Sequence, residues 1–459
     1  MTSSASQSAC VAIVGGGLAG MAAALRLREA GLEVDLFEAR RQLGGRAASF
    51  RDPETGELID FCQHVSLGCC SELADFCRRA GIDGCFRRLR RLHFIGPDGR
   101  QYDLAASRWL PAPLHLAPAL LRLGYLSLPD RISLARAVLR LRSLQVEDDP
   151  RGPTMAEWLR TQGQSPALVS GFWEVVLVSA LAESLDRVSL PVARKVLVDG
   201  FLADRTAYEL LVPEIPLGML YGRYVGPRLE SLGVRLHLGA AVEQVRGDDS
   251  SQLWVERAIG DTLAFDYVVL AVPWRQAPGL LSASLRAAAP LAEPVGLESS
   301  PITGLHLWFD RPITQLSHAV LVSRVSQWLF NRPGANGLPH QAEPCQAGQV
   351  HYYQVVVSAS RSLATRSREE VVKLVHSELA DVFPAAREAQ LLHWQVVTER
   401  HAVFSPLPGA TQSRPAQATS IPNLFLAGDW TATGWPSTME SAVRSGHQAA
   451  AGIIARAQR

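Results

Sequence analysis

The chain has 459 residues, 47% of them hydrophobic, with 45 basic against 44 acidic side chains for a formal net charge of +1. That length and apolar content suit two or three domains, or one discontinuous pair, each with a sizeable core. So small a charge gives no general field for a nucleic-acid backbone, and Lys/Arg runs mixed with aromatics are missing, so no nucleic-acid partner is expected. Seven cysteines, at 10, 62, 69, 70, 77, 85 and 345, make no C-x-x-C pair and no zinc-type spacing. They read as reduced thiols, and no metal site is expected. Met1 to Cys10 lacks Lys and Arg, unlike a secretory leader, and no run reaches the roughly 18 apolar residues of a membrane span, which points to a cytoplasmic protein.

The N-terminal apolar run Val11 to Val14 predicts a strand, and Gly15, Gly17 and Gly20 follow it in a G-x-G-x-x-G turn that opens a helix over 18–30. Helix amides and the positive dipole end then face a pyrophosphate. A second strand, Val34 to Phe37, ends at Glu38, a carboxylate placed to accept from ribose hydroxyls. Gly44, Gly45 and Arg46 come next, a backbone bend with a fork of donors behind it that suits a second grip on the pyrophosphate. A helix is expected over 71–80, where Cys70 and Cys77 read as core packing.

Residues 108–144 are Leu, Ala and Pro with arginines spaced between them. Two readings fit: helices packed together as a cap, or an amphipathic surface resting on a membrane. Residues 151–225 continue as helices, including one over 164–181 that holds Phe172, Trp173 and Glu174. Strands are predicted at 236–246, 253–258 and 264–272, the last returning to the first sheet, and a second, antiparallel sheet from 305–309, 319–322 and 351–357. A strand at 423–426 and a small-residue helix over 437–456 close the chain. The fold class is α/β, a discontinuous Rossmann-like unit (1–105, 226–290 and 415–459) beside a substrate domain with helical cap and antiparallel sheet (106–225 and 291–414).

These segments together resemble the flavin amine oxidase and carotenoid desaturase superfamily over nearly the whole chain. V-A-I-V-G-G-G-L-A-G through F-E-A-R-R-Q-L-G-G-R is similar to its FAD signature, and L-A-G-D-W-T-A-T-G-W-P-S-T-M-E-S to its second flavin motif. The resemblance implies FAD contacts from Gly15, Gly17, Leu18, Ala19, Gly20, Glu38, Ala39, Arg40, Gly45, Arg46, Gln63, His64, Val242, Gly428, Asp429, Thr438 and Met439, with Val242 at the adenine and Met439 near the ring. Asp429, at a strand's end, can accept from ribityl hydroxyls, and the helix start at Thr438 can face the flavin's electron-rich edge.

Within the superfamily, amine oxidases carry a lysine where this chain has Gly304, and no cysteine follows Cys345 to hold flavin covalently. Asp60-x-x-Gln63-His64, Phe172-Trp173-Glu174 and Gly434-Trp435-Pro436-Ser437-Thr438 resemble the hydroxysqualene dehydroxylases, with Cys62 and Met439 as departures that fit carotene desaturases no worse. The resemblance implies reductive removal of the hydroxyl of hydroxysqualene to give squalene, with carotene desaturation and an amine oxidase-like flavoprotein as the alternatives. A flavoprotein without chemistry, serving a terpenoid complex, is a third. The implied partners are a lipophilic isoprenoid, a membrane surface such as the inner membrane face, and an electron donor that is a reduced nicotinamide or a quinol. Hydroxide leaves poorly unless protonated, so a general acid with a raised pKa is expected. Glu174, set among apolar neighbours, is the first candidate and His64 the second; the plain alternatives are a helix-edge ion pair for Glu174 and a satisfied histidine near the flavin for His64.

Overall fold

The computed structural model describes residues 8–247, 252–288, 297–332 and 350–459. Five short strands build a parallel sheet in the order Arg235–Leu238, Glu33–Glu38, Cys10–Val14, Tyr267–Leu270, Leu424–Leu426. Val11, Ala12 and Ile13 are fully buried, as expected of a central parallel strand covered on both faces. On one face, helix Leu18–Glu29 packs along the C-terminal helix Met439–Ala457. The two ends of the chain thus close one core, with Cys77 of helix Ser71–Ala80 buried in it.

Two expected strands are each divided. The run 236–246 leaves the parallel sheet at Gly239, which has φ +71°, and Val242–Gly247 joins an antiparallel sheet with Leu253–Arg257 and Thr262–Phe265. The run 264–272 splits at Asp266 between that sheet and Tyr267–Leu270. Apolar patterning reports burial and is blind to a change of partner strand.

The second large sheet has seven strands, ordered Leu391–Phe404, Ser299–Phe309, His351–Ser358, Trp328–Arg332, His318–Leu321, Leu92–Ile95, Gln101–Leu104. All neighbours are antiparallel except His318–Leu321 beside Leu92–Ile95. Helix Arg368–Val382 covers one face through Val371, Val375 and Leu379. The fourteen-residue edge strand Leu391–Phe404 has a mostly solvated, charge-bearing pattern with little apolar alternation to announce it. Residues 92–104, near the chain's start, contribute two strands to this sheet.

In the cap, the helix expected over 164–181 is Pro166–Leu168, a wide π turn at Val169–Trp173, and Glu174–Leu181. Within 151–225, Leu210–Pro213 is a strand between Ser66–Leu67 and Phe86–Leu89 rather than helix. Helix Leu128–Ser143 has two apolar faces: Leu134, Ala137 and Leu141 are buried, while Leu128, Ile132 and Leu139 are exposed. At about 100° per residue the exposed three fall within about 40° of one another and the buried three lie opposite. Trp109, Leu114 and Leu121 are also exposed, whereas Leu123 is buried.

Candidate active site

The first strand ends at Gly15, with φ +112°, where a Cβ would come within 2.5 Å of the Ala271 carbonyl oxygen. A Cβ on Gly20 would lie 1.9 Å from the Gly15 oxygen, so only glycine lets the helix start this close beneath the strand. Gly17 caps that helix without a side-chain bond, which leaves first-turn amides of Leu18 and Ala19 to an anionic ligand. Gly44 bridges Gly17, and its amide donates to the Gly16 oxygen at 2.9 Å, folding the second glycine pair, with Gly45, against the first.

Glu38 sits at the neighbouring strand end, buried, accepting from the Gly16 amide at 2.7 Å and the Arg40 amide at 2.8 Å. Ala39 and Arg40 are exposed beside it. Gly239 and Ala240 donate to the Arg40 and Glu38 carbonyls at 2.8 and 2.9 Å, which brings Val242 alongside the acidic strand end.

Arg46 and Asp429, 383 residues apart, form an ion pair, and Ser437 donates to the other Asp429 oxygen. Burial pushes the Asp429 carboxyl up, but the Arg46 charge and these hydrogen bonds outweigh it and hold the group below the usual carboxylate range. The Gly428 amide donates to Ser445 Oγ at 2.7 Å, and Thr438 Oγ1 accepts from the Ser441 amide at 3.2 Å, capping the last helix. Arg414, which the sequence reading missed, is buried and donates to the Trp435 and Asp429 carbonyls at 2.5 and 2.8 Å. Burial lowers its guanidinium to about 10. A lone arginine outside both glycine motifs carried no signal of this role.

A small apolar cavity of about 10 Å³, room for a single water, lies beside these elements, walled by Leu18, His64, Phe76, Leu217, Tyr221 and Met439. His64 Nδ1 lies 2.9 Å from the Cys62 carbonyl oxygen, which can only accept, so Nδ1 carries hydrogen and Nε2 is the nitrogen left for a further proton. Burial lowers the imidazole, with Asp60 acting in the opposite sense. Gln63 donates to the His64 carbonyl at 3.0 Å, while its Oε1 is buried without a partner. A Cβ on Gly304 would meet the Phe61 oxygen at 2.7 Å, so the Asp60–His64 segment occupies the space a lysine would need there. Glu174 lies elsewhere, at the start of its cap helix, where partial desolvation first, then Asp186, raises its carboxyl. It forms no ion pair among the described residues.

The arrangement suits FAD: free helix amides for the pyrophosphate, a buried acid at the strand end, a paired Asp429 at the second motif, and an apolar cavity bordered by Leu18 and Met439. The six cysteines other than Cys345 are free thiols, and Cys345 lies outside the described residues.

Comparison with known proteins extends this. Over 458 residues the chain is 28% identical to hydroxysqualene dehydroxylase of Rhodopseudomonas palustris, covering 97% of this chain and 98% of that protein. It is 26% identical to zeta-carotene desaturase of Synechocystis, covering 98% of each. An oxidoreductase from Methanosarcina mazei shares the fold, with a TM-score of 0.71 at 18% identity over 95% of this chain and 98% of that one. The family model for flavin containing amine oxidoreductases matches residues 18–454. The chain belongs to the flavin containing amine oxidoreductase family and is an FAD-dependent oxidoreductase.

Proposed function

We propose that the protein is a hydroxysqualene dehydroxylase, which removes the hydroxyl of hydroxysqualene reductively and releases squalene and water. The observation that carries the reading is similarity along the full length to hydroxysqualene dehydroxylases, as in the Rhodopseudomonas palustris protein. Reduced FAD supplies the hydride. His64, whose Nδ1 is held by the Cys62 carbonyl, protonates the departing oxygen from Nε2. Against an amine substrate stands Gly304, where backbone from Phe61 fills the lysine position.

Pre-reduced enzyme mixed anaerobically with hydroxysqualene should yield squalene on extraction. Conversion of a carotene with hydroxysqualene untouched would replace this reading with the desaturase one, which the Synechocystis relative keeps in view. In single turnover, His64→Gln should slow flavin oxidation by about 100-fold, the usual share of a general acid, and Glu174→Gln by less than about threefold. The reverse order would return the acid role to Glu174.

In this reading residues 1–105, 226–290 and 415–459 hold FAD and 106–225 and 291–414 the substrate, with the strands of 92–104 lent to the substrate sheet. The other FAD contacts are those named from the sequence, including Ala19, Gly45 and Gln63. Trp109, Leu114, Leu121, Leu128, Ile132 and Leu139, among arginines, rest on a membrane surface from which a squalene-like substrate is drawn. That surface is the cytoplasmic face of the inner membrane, where a quinol or a reduced nicotinamide can deliver electrons. No helix among the described residues is long and apolar enough to cross it.

A further inference from the structure

Arg414 is buried beneath the second flavin motif and is bonded to it at several points. Nη1 donates to the Trp435 carbonyl at 2.5 Å, and Nη2 serves the Asp429 carbonyl at 2.8 Å, Thr433 Oγ1 at 3.1 Å and Ser441 Oγ at 3.2 Å. Ser441 Oγ also donates to the Asp429 carbonyl, at 3.1 Å. With its single hydrogen placed there, Ser441 accepts across the 2.6 Å contact with Thr433, and Thr433 is the donor. On its other side the guanidinium lies 5.0 Å from the ring of Phe404, the last residue of the edge strand Leu391–Phe404. These hydrogen bonds all go to neutral oxygens. A buried cation is costly, and carbonyls, hydroxyls and an aromatic face offset that cost less fully than a carboxylate would. Fold stability alone is a poor account of such a group, since an apolar side chain of similar volume would fill the space more cheaply.

We infer that Arg414 is a positioning residue for FAD, holding Asp429 and the first turn of helix Met439–Ala457 where the cofactor meets them. Asp429 is gripped at both ends: its carboxylate takes Arg46 and Ser437, and its carbonyl takes Arg414 and Ser441. With the main chain fixed, each carboxylate oxygen keeps a lone pair in a set direction for a ribityl hydroxyl. Ser441 stands three residues after the helix cap Thr438, so the same guanidinium also anchors the helix start. Trp435, between those two points in the chain, is tied through its carbonyl to the other arm of the fork. Lysine cannot take the place of this arginine, because an ammonium is a point donor whereas the planar fork reaches the Trp435 carbonyl and the Asp429–Ser441 pair at once.

The test is the rate of flavin release from the holoenzyme on dilution, followed by flavin fluorescence, in two backgrounds. In the parent chain Arg414→Lys should speed release by about tenfold or more, because charge-assisted hydrogen bonds are lost. In an Asp429→Asn chain the carboxylate grip is already weakened and the placing of its main chain matters less, so the same substitution should speed release by less than about threefold. A side chain that only supported the fold would act equally in both. A parent acceleration that exceeds the other by about threefold or more supports the role, and a smaller ratio, or unchanged release in the parent, overturns it. If Arg414→Lys does not fold, Ser441→Ala, which removes the second donor to the same carbonyl, is measured in the two backgrounds and judged by the same ratio. If Asp429→Asn retains no flavin, Ser437→Ala, which removes one donor from the carboxylate, takes its place as the second background. No substrate enters the measurement, so its outcome is independent of which isoprenoid the enzyme takes.

Discussion

Glu38 spends its carboxylate on two backbone amides, those of Gly16 and Arg40, and thereby shapes the turn that a dinucleotide must enter. Glu38→Ala should therefore weaken FAD by roughly 1.5–3 kcal/mol, the cost of unmade charge-assisted hydrogen bonds, read by flavin retention on dialysis. The flavin is expected to be non-covalent, so acid precipitation should leave it in the supernatant. Gly304→Ala places a methyl group 2.7 Å from the Phe61 oxygen. It should cost about 1–3 kcal/mol by overpacking, seen as a lower denaturation midpoint, and disturb His64 with it. Glu174 carries a different signature. Its folded pKa is raised, so its ionisation disfavours the fold above the unfolded value and has no effect below it. Glu174→Gln should be slightly more stable than the parent at pH 7 and equal to it near pH 3; a variant less stable at pH 7 would contradict the raised carboxyl.

At the scale of elements, the cap decides between two readings of one composition. Helix Leu128–Ser143 turns Leu134, Ala137 and Leu141 inward and Leu128, Ile132 and Leu139 outward, so a core face and a free face coexist. Replacing Leu121, Leu128 and Leu139 by Ser should reduce sedimentation with anionic vesicles while the melting curve and bound FAD are unchanged. Leu123→Ser should instead lower stability by about 2–4 kcal/mol, because that side chain is only 1% exposed in the cap core. Equal vesicle binding by the triple variant would remove the membrane role from this face. The composition of 108–144 showed an excess of leucine; which leucines were surplus to the core depended on how the helices packed.

Across the whole molecule, the cap is joined to the second sheet through Glu183, which is fully buried. Its oxygens accept from Arg361 and from Ser405 Oγ, both at 2.5 Å, and from the Ser184 amide at 3.0 Å. Burial raises the carboxyl, but Arg361 and the hydrogen bonds prevail and hold it below its ordinary value. A lowered folded pKa gives stability that is complete above the unfolded pKa, about 4.3, and is lost as pH falls through the folded one. Glu183→Gln should cost about 2–3 kcal/mol at pH 7, a figure kept modest because Arg361 is 38% exposed, and the difference from the parent should shrink on acid titration below about pH 4. A pH-independent difference would assign the effect to packing alone.

The first strand, its glycine turn, the helix after it and Glu38 were legible in the sequence because they are local: each depends on neighbours within about one turn or one strand. The second flavin motif was legible for the same reason. Pairings between distant segments were not. The ion pair of Arg46 with Asp429, the buried Arg414 beneath the second motif, and the backbone of Phe61 against Gly304 all join residues more than ten positions apart in sequence. The divided strands at Gly239 and Asp266 belong with them, since an apolar run looks alike whichever sheet it enters. Local sequence determined what each segment could become and which cofactor it could hold. Tertiary structure alone decided which charges meet, because a side chain's energy in the interior is set by partners that sequence spacing does not specify.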